Sequence, residues 1–201
     1  DSAGFRISKS RISGGRGAGR KDDGVAGREE EIFGVSSAVG MYRLRALEDV
    51  ADEGQYFDEH FFSYQEDVDL AWRLRLRGWA SLSVPSAQAY FHRTPPSAEK
   101  NSFGAALRKW RGRSPGVNRL SYRNHLLTMV KDDYFMNVCI GLPFIIWHEF
   151  TTAVRMLCTE PLTLFAALGD FFRLLPAALA KRSRIMRRAE ASAADIRKWF
   201  V

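Results

Sequence analysis

Cysteine is scarce in this chain: its 201 residues include two, Cys139 and Cys158, with no CxxC pair and no Cys/His ligand spacing. A disulfide framework is excluded on that count. Both cysteines have apolar neighbours in sequence, so they are expected as small buried hydrophobes of a reducing compartment. No apolar leader follows Asp1, so there is no signal-peptide pattern. No run reaches the roughly 18–20 uninterrupted apolar residues of a clean membrane-spanning helix, and no internal repeat is visible.

What is present is ordinary for a folded protein: 46% hydrophobic and 26% charged residues. The formal net charge is +7, and its placement decides what it means. From Lys181 to Val201 seven bases face only Glu190 and Asp195, directly after the most apolar part of the chain. An apolar segment followed by a polybasic one points to an anionic membrane surface. No patch interleaves aromatics with bases, so nucleic acid is not expected as a partner.

Residues 1 to about 29 are rich in Gly, Ser, Arg and Lys and read as irregular loop, with one short strand at Phe5 to Ile7. A strand with a close-approach Gly or Ser follows in "EIFGVSSAVG", then a helix from about Leu44. The next helix is expected from about Gln65 to Arg77, with Gly78 as its stop. "ASLSVPSAQAYFH" reads as two short strands broken at Pro85, the second ending at His92. Residues 93–118 form a polar, basic excursion expected to be mobile. From Asn118 the chain turns apolar with helical period. Pro143 and His148 interrupt one run, and Asp170, Arg173 and Pro176 another, which favours two or three amphipathic helices lying in a membrane interface.

Three acids in four positions, Glu66, Asp67 and Asp69, stand at the start of the second helix. Ser63 and Glu66 have the spacing of a capping box, and acids in a first turn complement the helix dipole. On that account the acids only start a helix, and the protein is a non-enzymatic membrane-surface or partner-binding module. The chemical account needs a carboxylate that stays ionised where a substrate hydroxyl can reach it. Asp69 and Arg73 are spaced as a supporting i,i+4 pair.

The order of the pieces adds to this. "GVSSAVGMYR", then "FDEHFFSYQEDVDLAWRLRLRGW", then "VPSAQAYFH" resembles the C-terminal half of the catalytic domain of family 2, GT-A fold, inverting glycosyltransferases, especially the rhamnosyltransferase-like branch. The resemblance covers about residues 1–130, and the E-D-x-D-L-x-x-R helix is its most specific part. It implies an α/β fold: a partial GT-A domain over residues 1–130, then a mainly helical, membrane-associating extension over 131–201. It implies transfer of a sugar, with inversion, from a nucleotide-sugar donor to a glycan or lipid-linked acceptor of the cell envelope. The enzyme would lie in the cytoplasm, peripheral to the inner face of the cell membrane.

Within that resemblance Asp67 is the general base and Glu66 orients the acceptor. Tyr64 and Trp79 shape the acceptor side, and Asp69 and Arg73 brace the helix. His92 matches a histidine that helps hold a divalent metal, Mg or Mn, on the diphosphate in some members. Two departures are visible: Ser37 stands where Gly is common and Leu44 where a second Arg is common, and neither is expected to touch Asp67. No nucleotide-binding half with a D-x-D metal motif precedes these elements, and "KDDG" at 21–24 does not match one. The chain is therefore expected to be a fragment that is inactive alone.

Overall fold

The computed structural model describes residues 3–17, 29–87, 89 and 113–201. The expected second strand with His92, the "KDDG" loop and most of the 93–118 excursion lie outside the described residues.

Among the described residues, four three-residue strands form two antiparallel pairs. β1 (Phe5–Ile7) pairs with β2 (Ser13–Gly15), and β3 (Glu30–Ile32) pairs with β4 (Ser81–Ser83). The second strand of the first pair is Ser-Gly-Gly, which carries no apolar period and falls in the stretch expected as irregular loop. Its backbone bonds to β1 alone define it.

α1 (Leu44–Val50) begins where expected, α2 (Glu66–Leu76) begins and ends within a residue of its expected places, and Gly78 takes a φ of +77° past the end of α2. α2 is the centre of the core. Trp72, Val68, Ala71 and Leu76 pack with Ile7 and Phe33 from the N-terminal part, and with Ile196 and Phe200 from the C-terminus. Gly34 follows β3 where a Cβ would come 2.2 Å from that of Ala71. This is the close approach that the small-residue strand foreshadowed.

α3 (Pro115–Asp132), α4 (Phe135–Thr159) and α5 (Pro161–Arg188) are long, and α3 packs along α5. The expected division at residue 130 thus falls inside α3. Pro143 and Pro176 do not break α4 and α5. α6 (Ala193–Arg197), started by a Ser192–Asp195 capping box, brings the terminus back to the N-terminal hairpin, where Val201 N–H donates to Ile7 O at 3.0 Å.

The structure adds one finding in this region and corrects one expectation. Most of the tail's bases serve the protein itself. Lys181 pairs with Asp58, Arg184 with Asp52 and Arg188 with Asp49, while Arg182 donates to the Val130 and Asp133 carbonyls. Cys139 and Cys158 are exposed, not buried. Their apolar neighbours mark a helix face that the protein does not cover.

That face is extensive. α4 turns Asn137, Gly141, Ile145, Thr152 and Met156 inward. It leaves Phe135, Ile140, Phe144, Ile146, Trp147, Phe150 and Leu157 outward. α5 commits Asp170, Lys181 and Arg184 to partners within the protein and exposes Leu162, Phe165, Phe172 and Leu179. By length and composition α5 is also the one helix, among the described residues, able to cross a membrane.

A candidate active site at the mouth of helix α2

The approach to α2 is a strained turn. Phe62, Tyr64 and Gln65 all have positive φ, at 60°, 67° and 70°. For such side chains this conformation persists only where the surroundings impose it, and it clusters at functional sites. Here the imposing group is α3. The Asn124 amide lies 2.7–2.9 Å from the carbonyls of Phe61, Ser63 and Tyr64. Arg123 adds bonds to the carbonyls of His60 and Phe61, at 2.9 and 3.0 Å. Gln65 occupies the N-cap of α2 without a side-chain cap bond. The expected Ser63–Glu66 capping box is therefore absent, because the left-handed turn separates Ser63 from the helix start. The box therefore does not account for the acids.

Glu66 and Asp67 are half-buried side by side at this mouth. Ser37, carried by the 3-10 turn Ser37–Val39, reaches both: its N–H donates to Asp67 Oδ2 at 3.3 Å and its Oγ lies 3.5 Å from Glu66 Oε1. The expectation that this departure from the family pattern leaves Asp67 untouched is thus corrected. Asp67 Oδ1 also accepts the Val68 N–H at 2.9 Å. Burial raises the Asp67 pKa above the usual carboxylate range and outweighs these bonds. Burial, and then the charge of Asp67, raises that of Glu66 as well. Glu66 Oε2 is buried without a hydrogen-bond partner, while Oε1, beside Ser37 Oγ, lies on the exposed side. Tyr42 stands nearby, its phenol pushed up to about 12 by burial and by the Asp67 charge.

The other expected residues divide in two. Tyr64 sits in the strained turn, exposed beside the acids. Trp79 does not join them. It lies past the other end of α2, about 15 Å along the helix at 1.5 Å per residue, where its Nε1 donates to Asp49 at 2.8 Å and its ring packs on the cluster of Ala46, Val50, Leu70 and Leu74.

Asp69 and Arg73 pair as the spacing predicts, at 2.8 Å, but within a buried charge network. Lys131 of α3 contacts Asp69 and lies 2.7 Å from Asp58, which also binds Lys181 of α5 at 2.7 Å. Arg73 donates to the carbonyls of Val50 and Tyr56. Asp132, fully buried beside Asp69, has its pKa driven well up by burial and by the Asp69 charge. The network ties α2 to α3 and α5.

For the divalent metal, the donors around Asp67 are two carboxylates and serine oxygens, with no histidine among the described residues, and His92 lies outside them.

Sequence reasoning missed Asn124, Arg123, Lys131 and Ser37. The family pattern marked only Ser37, and as a departure.

Comparison with curated proteins gives similarity to a glycosyltransferase over a short stretch. Two curated sequences, each named N-acetylglucosaminyl-diphospho-decaprenol L-rhamnosyltransferase, from Mycobacterium tuberculosis strains CDC 1551 / Oshkosh and ATCC 25618 / H37Rv, are 54% identical over 37 residues. The match covers 18% of this chain and spans 12% of each relative's length. No family model matches, and no solved structure matches.

Proposed function

We propose that this chain carries the acceptor side of an inverting glycosyltransferase of the GT-A type, with Asp67 as general base. The observation that carries the reading is the Asp67 carboxylate: half-buried at a helix mouth, aimed by the Ser37 and Val68 N–H groups, and made more basic by burial. Such a group takes the proton of an acceptor hydroxyl as that oxygen attacks the anomeric carbon of a nucleotide sugar. The C–O bond to the nucleoside diphosphate breaks in line, the diphosphate leaves with the electron pair, and the configuration inverts. Glu66 orients the acceptor through its exposed oxygen beside Ser37, and the Tyr64 ring borders the approach. A base is typically worth about 10²–10⁴ in rate. The short likeness to a rhamnosyltransferase supports the same class.

The outward apolar faces of α4 and α5 support a seat in the cytoplasmic leaflet of a membrane, since contiguous apolar surface of this extent mostly marks such contacts. A lipid-linked acceptor fits this seat, and the relative's name specifies a diphospho-decaprenol acceptor. The test is transfer of label from a panel of nucleotide sugars to polyprenyl-diphospho-N-acetylglucosamine in vesicles by the full-length gene product. A labelled lipid product supports the reading. Absence of transfer from every donor to this and to other lipid-linked glycans contradicts it.

A further inference from the structure

We propose that His125 of α3, together with His148 and Glu149 of α4, forms a zinc-binding site that staples these two helices. The three donor atoms lie within 4.8 Å of one another. His125 Nε2 is already 3.0 Å from Glu149 Oε1, and the His125 and His148 rings meet edge to face with centroids 5.9 Å apart. Tetrahedral ligation at about 2.0–2.2 Å per bond places donors roughly 3.3–3.5 Å apart. Small side-chain rotations therefore close the set.

The donor chemistry is two imidazoles and one carboxylate, a borderline set that suits Zn²⁺ and not the oxygen-seeking Mg²⁺ or Ca²⁺. Partners behind the donors are also in place. Thr152 Oγ1 lies 3.3 Å from His148 Nε2 and orients the ring, and the Tyr122 hydroxyl lies against the Glu149 carboxylate. Glu149 Oε2 nonetheless remains buried without a well-formed hydrogen bond. The Arg155 charge reaches His148 and opposes a cation, and the Glu149 carboxylate offsets it.

The site stands on different residues from Asp67 and does not depend on the reaction proposed for it. Its consequence is mechanical. His125 follows Asn124, the residue that holds the strained turn ahead of α2, so an ion here would fix the register of the helix that shapes the mouth.

The test is Zn²⁺ added to chelator-stripped full-length protein in detergent or nanodiscs, followed by calorimetry and thermal unfolding, with Co²⁺ as a spectroscopic substitute. The expected result is one saturable equivalent assigned to this cluster, a raised Tm, and visible ligand-field bands of a four- or five-coordinate nitrogen–oxygen site. Glu149→Gln, which keeps shape, should weaken binding at least tenfold, and His148→Ala should abolish it. Thr152→Val should weaken it about 10–100-fold. Folded protein that takes up no saturable Zn²⁺ would overturn the proposal. So would binding that is unchanged in both Glu149→Gln and His148→Ala, since the ion would then sit elsewhere.

Discussion

At Asp67 two forces oppose each other. Hydrogen bonds from Ser37 and Val68 favour the carboxylate, and burial disfavours it more strongly, so the pKa rises. A raised native pKa means that the folded state holds the proton more tightly than the unfolded chain does. Folding stability therefore falls as pH rises from the ordinary carboxylate range through the native value. Asp67→Asn removes that cost and keeps the shape, and should leave Tm at neutral pH unchanged or higher, read by thermal unfolding. A marked fall in Tm would make Asp67 a structural residue.

Asp58 runs the other way. Burial works to raise its pKa, but Lys131 and Lys181 outweigh it and hold it well below the usual range. Its stabilising contribution is present above about pH 4, the unfolded value, and is lost as pH falls through the native one. Lys131→Met leaves Asp58 and Asp69 short of a cation and should cost about 3–5 kcal/mol at neutral pH in denaturant unfolding. The same variant should show a shallower loss of stability on acidification.

At the scale of the element, the turn from Phe61 to Gln65 and helix α3 act as one unit. Asn124→Ala leaves three carbonyls of a positive-φ turn without their donor, and should cost about 2–3 kcal/mol. It should also lower transfer beyond what lost folding explains, because the turn sets where Glu66 and Asp67 stand. Gly34→Ala places a methyl 2.2 Å from the Ala71 Cβ and should destabilise by about 1–3 kcal/mol through overpacking.

These elements also explain what could be read in the sequence. α2 showed its acids, its Asp69–Arg73 spacing and its Gly78 stop, all local signals, and its limits are correct to about a residue. α3 falls where the helical period begins, but besides Tyr122 and Leu127 its inward face is Asn118, Arg123, Asn124, His125, Thr128, Lys131 and Asp132. Apolar periodicity does not mark which polar groups a helix buries, and those groups hold the site. Ser63 was in position for a capping box by spacing, but the left-handed turn imposed from α3, more than 55 residues away in sequence, prevented it. In α4 the apolar period was plain, but whether protein or another phase covers it is not written in the period.

At the scale of the whole molecule, charge and apolar surface have separate tasks. The tail's bases are largely spent on Asp49, Asp52, Asp58 and backbone carbonyls, so attraction to anionic lipid is not the main term. Vesicle flotation of the protein should respond only weakly to salt. It should fall sharply when Trp147 and Phe150 on the outer face of α4 are both replaced by Glu, a change that leaves the inward residues alone. Strong salt dependence, with flotation unchanged in the double variant, would return the membrane contact to the tail.

The central claim is that Asp67 takes the acceptor proton. Its most direct measurement is the single-turnover rate of sugar transfer by the full-length gene product, with Asp67→Asn against the wild type at saturating donor. The account predicts a loss of about 10²–10⁴ in rate with donor affinity nearly unchanged. Transfer at the wild-type rate in Asp67→Asn would contradict it.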